Sequence, residues 1–387
     1  MFIKTMFKRL QEFHKRGKES AFLWGARQTG KSTLLKNLFP KARYYDLLLS
    51  EEFVRLSRKP SLLREELLAM PDAHAQPVII DEVQKIPALL DEVHWLIVNK
   101  KISFILCGSS ARKLKRVGAN LLGGRALRYE LYPLVSSEIP DFDLLRAVNN
   151  GCLPRHYAAA DAHNRLEAYL GDYLKEEIAS EALSRNIPAF AHFMDAEAFS
   201  NGEMVNYNNI ASDCGVSAPT VKEYFNILED TLIGYFLPVY QKRPKRRTIR
   251  TPKFYFFDVG IANSLLKRGH IAPGTELFGK AFEHLIFQEI KAHQHYSGVN
   301  YSLSYWRTSS GNEVDFILGD HEVAIEVKST DTVAPHHLKG LCAFSEEYKV
   351  KKSIVVSLDK YPRVCGNVTV LPWKDFLGQL WNGKIIG

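Results

Sequence analysis

The sequence predicts an α/β fold with a parallel sheet at its N-terminal end, and three observations support this. An apolar strand at residues 21–24 leads into a glycine-bounded loop at 25–32, and residues 33–38 follow with helical periodicity. A second apolar run at 77–82 ends in two carboxylates, and a third at 102–107 ends in Gly-Ser-Ser. Buried strands that alternate with helical segments are typical of parallel sheets.

Composition indicates a globular protein of several domains. The chain has 387 residues, 46% of them hydrophobic and 24% charged, with a formal net charge of +8. This basic balance favours an anionic partner such as nucleic acid. The five cysteines form no ligand cluster, so neither a disulfide framework nor a zinc site is expected. No signal-peptide core or membrane-spanning run is apparent, and we expect a cytoplasmic protein with no membrane partner.

The loop at 25–32 fills the pattern G-x-x-x-x-G-K-[ST] with Gly25, Gly30, Lys31 and Ser32. Glycines let the backbone N–H groups turn inward toward phosphate oxygens, and the following helix start adds a positive dipole end. Lys31 can reach the β- and γ-phosphates, and the Ser32 hydroxyl can ligate Mg²⁺. The sequence therefore predicts an ATP and Mg²⁺ site formed by Gly25, Ala26, Arg27, Gln28, Thr29, Gly30, Lys31, Ser32 and Thr33.

The carboxylates at the end of the second apolar run complete this predicted site. Parallel strands bring their carboxyl ends to one sheet edge, so Asp81 and Glu82 are expected beside the loop. We predict that Asp81 holds Mg²⁺ and that Glu82 is the general base that activates water.

Two further positions suit an ATPase, each with a structural alternative. Ser109 or Ser110 ends the third run, where a hydroxyl can sense the γ-phosphate or instead cap the next helix. Arg125 can project to a neighbouring subunit's γ-phosphate as an arginine finger, with Arg128 as the substitute, or form a structural salt bridge.

Five segments together resemble the bacterial and archaeal AAA-type ATPases related to the STAND and origin-recognition-like groups. They are GARQTGKS (25–32), IIDEVQKIP (79–87), FILCGSSARKL (104–114), LLGGRALRYELYPL (121–134) and GCLP (151–154). The resemblance implies that a Gly-x-x-Pro turn ending at Pro154 encloses the nucleotide base, although a second glycine is commoner inside that turn. It also implies a C-terminal domain similar to PD-(D/E)XK nucleases.

Two helical regions flank the predicted core. Residues 1–20 are basic and amphipathic, which predicts a helix packed on the core or, alternatively, a nucleic-acid-binding arm. Residues 160–200 have helical periodicity that Pro188 interrupts, and they resemble the helical lid of AAA proteins.

Residues 207–230 predict a helix-turn-helix, with a turn at Gly215 and a second helix capped by Ser217 with Pro219 in its first turn. Two strands follow, joined by a turn that carries Lys242, Arg243, Lys245, Arg246, Arg247 and Arg250. This order predicts a winged helix with a basic wing.

The predicted partner of the winged helix is DNA, contacted by the wing and by Thr220 and Lys222. A protein partner is the alternative, because Glu223, Glu229 and Asp230 place negative charge on the same helix.

The C-terminal segment carries four residues with nuclease-like spacing. Asp315 lies on one predicted strand, and Glu326 and Lys328 share a face of the next, as in the (D/E)-x(n)-E-x-K pattern. Glu283 matches the additional carboxylate that PD-(D/E)XK nucleases carry on a helix. We predict a metal held by Asp315 and Glu326, with Lys328 either orienting the attacking water or stabilising the developing charge. A binding scaffold without cleavage is the alternative.

The predicted domains are an AAA-type P-loop core (1–150), a helical lid (151–200), a winged helix (201–268) and a restriction-endonuclease-like α/β domain (269–387). The predicted function is that of a homo-oligomeric, Mg²⁺-dependent ATPase that couples hydrolysis to DNA-facing and nuclease-like domains. The alternatives are an ATP-gated nuclease and a STAND-like nucleotide switch that acts through protein partners.

Overall fold

The structure is a computed structural model that describes residues 7–70, 75–110, 112, 114, 122–174, 186–242 and 249–387. The chain divides into two compact units. The first unit comprises residues 9–133 and 230–233, and the second comprises residues 1–8, 134–229 and 234–387. Most of the predicted basic turn, residues 243–248, lies outside the described residues.

The first unit contains a five-stranded sheet in which every neighbouring pair of strands is parallel. Its order is β2-β3-β4-β1-β5. The strands are β1 (Ala21–Trp24), β2 (Tyr44–Asp46), β3 (Val78–Asp81), β4 (Phe104–Gly108) and β5 (Leu127–Glu130). The helices are α1 (Lys31–Leu38), α2 (Ser50–Arg58), α3 (Leu62–Leu68) and α4 (Leu89–Lys100). This confirms the predicted parallel α/β core, because apolar strands buried on both faces need helices on each side.

The predicted N-terminal helix is wrong for the described part of the segment. Residues 7–13 are not helical, and only a short 3₁₀ turn forms at His14–Gly17. Phe13 is buried with its ring 5.8 Å from that of Phe39 and 5.0 Å from that of Tyr129. An irregular segment that anchors single side chains replaces the helix, because the tertiary contacts outweigh a weak local periodicity.

The second unit begins with helices. They are α5 (Leu144–Asn150), α6 (Pro154–Tyr157), α7 (Ala162–Ala168), α8 (Ile187–Phe199), α9 (Tyr207–Cys214), α10 (Ala218–Asp230), α11 (Val259–Leu265) and α12 (Glu276–Tyr296), with the end of α10 counted in the first unit. Pro188 lies in the first turn of α8, where its missing N–H costs nothing, so it begins a helix.

The predicted helix-turn-helix elements are present. Gly215 ends α9 in the left-handed conformation with φ 63°, and Ser217 Oγ accepts from the Thr220 N–H at 3.3 Å. A two-stranded antiparallel sheet follows, formed by β6 (Gly234–Leu237) and β7 (Lys253–Phe256).

The C-terminal part of the second unit is a six-stranded mixed sheet of order β12-β13-β11-β10-β9-β8. Its strands are β8 (Leu303–Arg307), β9 (Glu313–Leu318), β10 (Val323–Lys328), β11 (Lys352–Ser357), β12 (Arg363–Cys365) and β13 (Val368–Pro372). Helix α12 packs on one face of this sheet and α13 (Lys339–Glu347) on the other. The last helix, α14 (Trp373–Trp381), shares the buried cluster of α12. The antiparallel pair β9 and β10 confirms the predicted hairpin.

The predicted boundary of the ATPase core at residue 150 stays a prediction, whereas the long continuous part of the first unit ends at Pro133. The reason is packing: Leu144, Ala147 and Val148 of α5 belong to the same buried cluster as Phe282 of α12. No helix among the described residues is both long and apolar enough to cross a lipid bilayer.

Candidate functional site

The phosphate loop lies between β1 and α1, and its backbone needs two glycines. Gly30 has φ 96°, in the left-handed region. A Cβ on Gly25 would lie 2.5 Å from the carbonyl oxygen of Leu131. Lys31 is buried, and its Nζ donates to the carbonyl oxygens of Gly25 at 2.6 Å and Ala26 at 3.0 Å. The ammonium is therefore held over the loop by neutral acceptors.

The other predicted loop residues lie where the motif requires. Thr29 is buried, and its hydroxyl donates to the Ala26 carbonyl oxygen at 2.8 Å. Arg27 is half-buried, whereas Gln28 and Thr33 are exposed. Gln28 has φ 63°, which extends the tight curl of the backbone.

The end of β3 brings Asp81 to the start of α1. The Ser32 hydroxyl donates to Asp81 Oδ2 at 2.6 Å, and the Tyr44 hydroxyl donates to the same oxygen. The Asp81 side chain is buried. A hydroxyl and a carboxylate oxygen side by side are hard donors that fit Mg²⁺. The residues that we predicted to hold the metal ion are thus in contact.

Glu82 follows Asp81 with an unusual backbone, φ 57° in the left-handed region. The Gln84 amide donates to Glu82 Oε2 at 2.5 Å and to Ser109 Oγ at 3.2 Å. Burial and the neighbouring Asp81 charge raise the pKa of Glu82, although Lys31 opposes this. A carboxylate with a raised pKa beside a phosphate loop has the character of a general base.

The two serines at the end of β4 differ in their contacts. Strand β4 lies between β1 and β3, so its carboxyl end is between the phosphate loop and Glu82. Ser110 Oγ accepts from the Arg112 N–H at 3.0 Å and donates to the Asp230 carbonyl at 3.2 Å. Ser110 therefore has the helix-capping role, while Ser109 faces Gln84. The sensor role of Ser109 stays a prediction.

Arg125 lies away from the phosphate loop of its own chain. It precedes the amino end of β5, whereas the loop follows the carboxyl end of β1, and these strands are parallel. Arg125 borders a hollow of about 290 Å³ with Lys18 and Lys101. Arg128 is exposed and lies 3.4 Å from Glu130. An arginine finger at residue 125 would have to act on another subunit.

Three residues that sequence reasoning missed support the site. Tyr44 and Gln84 hold Asp81 and Glu82. Arg9 donates to the Thr29 carbonyl oxygen at 2.5 Å and to that of Tyr132 at 2.6 Å, which connects the phosphate loop to the end of β5. Tyr44 and Arg9 act through contacts between segments distant in sequence, which no local motif marks, whereas Gln84 contacts Glu82 only two residues away.

Pro154, predicted to enclose the nucleotide base, lies at the start of α6 in the second unit. Gly151 of the same turn has φ 72°, and a Cβ there would overlap the Asp258 carboxylate. Asp258 accepts from the Cys152 N–H at 2.7 Å. The contacts of this turn are structural, and its nucleotide role stays a prediction.

A second cluster of charged residues forms in the C-terminal part of the second unit. Lys328 Nζ lies 2.6 Å from Glu326 Oε1, and Asp315 Oδ2 accepts from the Val327 N–H at 2.8 Å. Burial, and then the charges of Glu326 and Glu283, raise the pKa of Asp315 well above its ordinary value. All four predicted residues therefore lie within electrostatic reach of one another.

The cluster also contains residues that were not predicted. The Tyr255 hydroxyl donates to Glu283 Oε1 at 2.6 Å. Lys253 Nζ lies 3.4 Å from the same oxygen and 2.7 Å from Glu313 Oε1. Among the described residues, no group of three or more His, Cys, Asp or Glu side chains is arranged to hold a metal ion.

This arrangement does not fit a resident divalent cation. Ammonium groups already engage the carboxylates of Glu326 and Glu283, so no metal-dependent step is assigned here. The metal role of Asp315 and Glu326 is thus a prediction that this arrangement does not support.

Comparison with known proteins agrees with the geometry of the first unit. Residues 17–140 match an AAA domain family. Residues 141–270 and 278–376 match two domains of unknown function, DUF8612 and DUF4143. The AAA match and the phosphate-loop geometry together support a P-loop ATPase domain in the first unit.

Relatives of similar length occur in bacteria and archaea. An uncharacterized protein of Mycobacterium tuberculosis is 26% identical over 80% of this chain and 70% of its own length. An uncharacterized protein of Methanocaldococcus jannaschii is 25% identical over 93% of this chain and 85% of its own length. The Walker-type ATPase of Pyrococcus abyssi is 16% identical, with a TM-score of 0.41 over 63% of this chain and 90% of that chain.

Proposed function

We propose that the protein is a Mg²⁺-dependent ATP hydrolase. The observation that carries the proposal is the contact between Ser32 and Asp81 at 2.6 Å beside a buried Lys31. A hydroxyl, a carboxylate and an ammonium at the mouth of a helix-terminated loop suit a triphosphate and its cation.

Each residue has a defined part in the proposed reaction. Lys31 exchanges its two carbonyl acceptors for the β- and γ-phosphate oxygens. Ser32 and Asp81 would hold Mg²⁺, which would neutralise phosphate charge. Glu82 accepts a proton from the attacking water as the bond between that water and the γ-phosphorus forms, while the bond from the γ-phosphorus to the bridging oxygen breaks and ADP leaves with that oxygen. Gln84 orients Glu82 through its amide.

The test is the ATP affinity and turnover of Lys31→Ala. We expect turnover to fall at least about 10²-fold, because the charge that stabilises the transferring phosphate is lost. Lys41→Ala, an exposed lysine of the same unit, is the matched control and should keep the parent rate. Unchanged turnover in Lys31→Ala would overturn the proposal.

The proposed active form is a homo-oligomer in which Arg125 contacts the nucleotide of a neighbour. The position of Arg125 at the opposite sheet edge from its own phosphate loop supports this. Arg125→Ala should lose about 10³-fold or more in turnover, with Arg58→Ala, an exposed arginine of the same unit, as the control. Mixing inactive Lys31→Ala and Arg125→Ala chains should restore some activity. A monomeric protein with full turnover would contradict it.

We propose that the helix-turn-helix region faces DNA. Lys222 is exposed on α10, and α9 and α10 join through the Gly215 turn. Glu223 and Glu229 are exposed on the same helix, which favours a protein partner instead. Fluorescence anisotropy of a labelled duplex decides between them: DNA affinity should fall steeply with salt and with Lys222→Ala. No binding in about 50 mM salt would favour the protein partner.

A nucleotide switch is the second candidate, because it needs the same phosphate site as a motor. Single-turnover and steady-state rates separate the two. Slow hydrolysis with prolonged retention of nucleotide would favour the switch, and continuous turnover would favour the coupled ATPase.

A further inference from the structure

Lys253 is a buried lysine at the start of β7. Its side chain is only 4% exposed. Its Nζ lies 2.7 Å from Glu313 Oε1, 3.4 Å from Glu283 Oε1 and 5.3 Å from the centre of the Tyr305 ring. Burying an ammonium is costly unless anionic partners surround it. Lys253 therefore belongs to the carboxylate cluster although it lies outside the predicted nuclease-like domain.

The cluster is close to charge balance without a metal ion. Its carboxylates are Glu283, Glu313, Asp315 and Glu326, and its cations are Lys253, Lys328 and Arg307, which lies 2.7 Å from Glu313. If all four carboxylates are ionised, four negative groups face three positive ones and the formal net charge is −1. A divalent cation added to this set would reverse the net charge to +1 beside the buried Lys253, so it would bring the set no closer to charge balance.

The ammonium groups of Lys253 and Lys328 occupy positions beside carboxylate oxygens that a bound metal ion would also have to occupy. A hard divalent cation binds carboxylate oxygens at 2.0–2.6 Å and requires several of them at once. Lys253 and the Tyr255 hydroxyl both engage Glu283 Oε1, and Lys328 engages Glu326 Oε1. Glu326 Oε2 is buried with no hydrogen-bond partner in the described part of the chain. Glu326 Oε2 could therefore bind a divalent cation, but the ammonium of Lys328 occupies the position beside Glu326 Oε1 that such a cation would also need.

We infer that Lys253 is a tethered cation that takes the place of a divalent metal ion among Glu283, Glu313 and Asp315. In this state the cluster is an internal ion-pair network closed to Mg²⁺ and Mn²⁺. Removing the charge of Lys253 while keeping its length lets these carboxylates move together around a divalent cation, an arrangement that they do not have while Lys253 is charged. The inference depends on neither ATP turnover nor nucleic-acid cleavage.

The test measures Mn²⁺ binding by the loss of the free-ion EPR signal, on the full chain without nucleotide. All variants carry Asp81→Asn, which removes the contribution of the ATP site. We expect no stoichiometric binding by this parent and a gain of about one Mn²⁺ in Lys253→Met. Lys253→Arg is the matched control, since it keeps the charge, and should behave as the parent.

Stoichiometric binding by the parent, unchanged in Lys253→Met, would overturn the inference. So would a gained site that persists when Glu283→Gln is added to Lys253→Met. If Lys253→Met does not fold, as judged by circular dichroism, Lys253→Gln takes its place. Crystals of the unmutated chain soaked in Mn²⁺ give an independent arm: an anomalous peak beside Glu283 and Asp315 would overturn the inference, and its absence there would support it.

Discussion

The nucleotide site and the carboxylate cluster use the same kinds of residue in opposite ways. In the nucleotide site Lys31 contacts neutral carbonyl oxygens, and hydroxyl groups hold Asp81. In the carboxylate cluster Lys253 and Lys328 contact carboxylates directly. The first arrangement leaves its charges to be satisfied by a ligand, whereas the second satisfies most of its charges internally.

The difference shows that residue types do not determine whether a polar site binds a ligand. An ammonium held by dipoles exchanges these weak acceptors for phosphate oxygens readily. An ammonium held by buried carboxylates is removed only at the cost of leaving unpaired charge. A lysine and two acidic residues therefore predict ligand binding only when the groups that each side chain contacts are known.

The largest expected effect concerns Glu82. Glu82→Gln removes the proposed general base, and we expect ATP turnover to fall about 10²–10⁴-fold while ATP binding is kept. Steady-state turnover and nucleotide affinity measure the two quantities. Glu51→Gln, an exposed glutamate of the same unit, should leave both unchanged.

The pH profile sharpens this test. Because the pKa of Glu82 is raised, its carboxylate becomes protonated at a higher pH than an ordinary glutamate as the solution is acidified. Turnover should therefore fall on the acid side at a pH above the ordinary glutamate pKa. An acid limb that is still present in the residual activity of Glu82→Gln would assign that limb to another group.

The second effect compares the two lysines in the absence of ligand. Lys253→Met should lower the free energy of unfolding of its unit by about 3 kcal/mol, because it removes the buried ammonium that pairs with the carboxylates of Glu283 and Glu313. Lys31→Met should change stability by about 1 kcal/mol or less, since it loses only hydrogen bonds to neutral carbonyls. Urea unfolding followed for each unit measures both.

Equal losses in the two variants would contradict the comparison. Alkaline titration adds a check. Burial lowers the pKa of Lys253, but Glu283 and the other neighbours raise it well above the ordinary value. Its contribution to stability is thus complete below the unfolded lysine pKa and is lost only as pH rises through the raised one.

The smallest effect concerns the hydroxyl groups that hold Asp81. Tyr44→Phe removes one donor from Asp81 Oδ2, which is worth about 1 kcal/mol, or roughly fivefold in turnover or in the Mg²⁺ requirement. Tyr45→Phe is the matched control, since its hydroxyl contacts Glu66 at 3.1 Å. A loss as large as that of Glu82→Gln would show that Asp81 depends on Tyr44 far more than one hydrogen bond allows.

Much of the fold was predictable where local pattern and burial agree. The apolar runs that lead to Asp81 and Lys328 form strands β3 and β10, which end at these two residues. The α9 to α10 turn is at Gly215, as only a residue tolerant of positive φ suits that position. The N-terminal segment was not predictable, because Arg9 and Phe13 anchor it through distant partners.

The sequence by itself determined the phosphate loop, since contiguous spacing alone places Gly25, Lys31 and Ser32 around one anion site. It also determined the strands that carry Asp81, Asp315 and Glu326. Only the tertiary structure decided how their charges are satisfied, as Tyr44 contacts Asp81 and Lys253 contacts Glu283 across wide sequence separations. Electrostatic interactions depend on distance and burial in space, and no local pattern in the chain encodes these quantities.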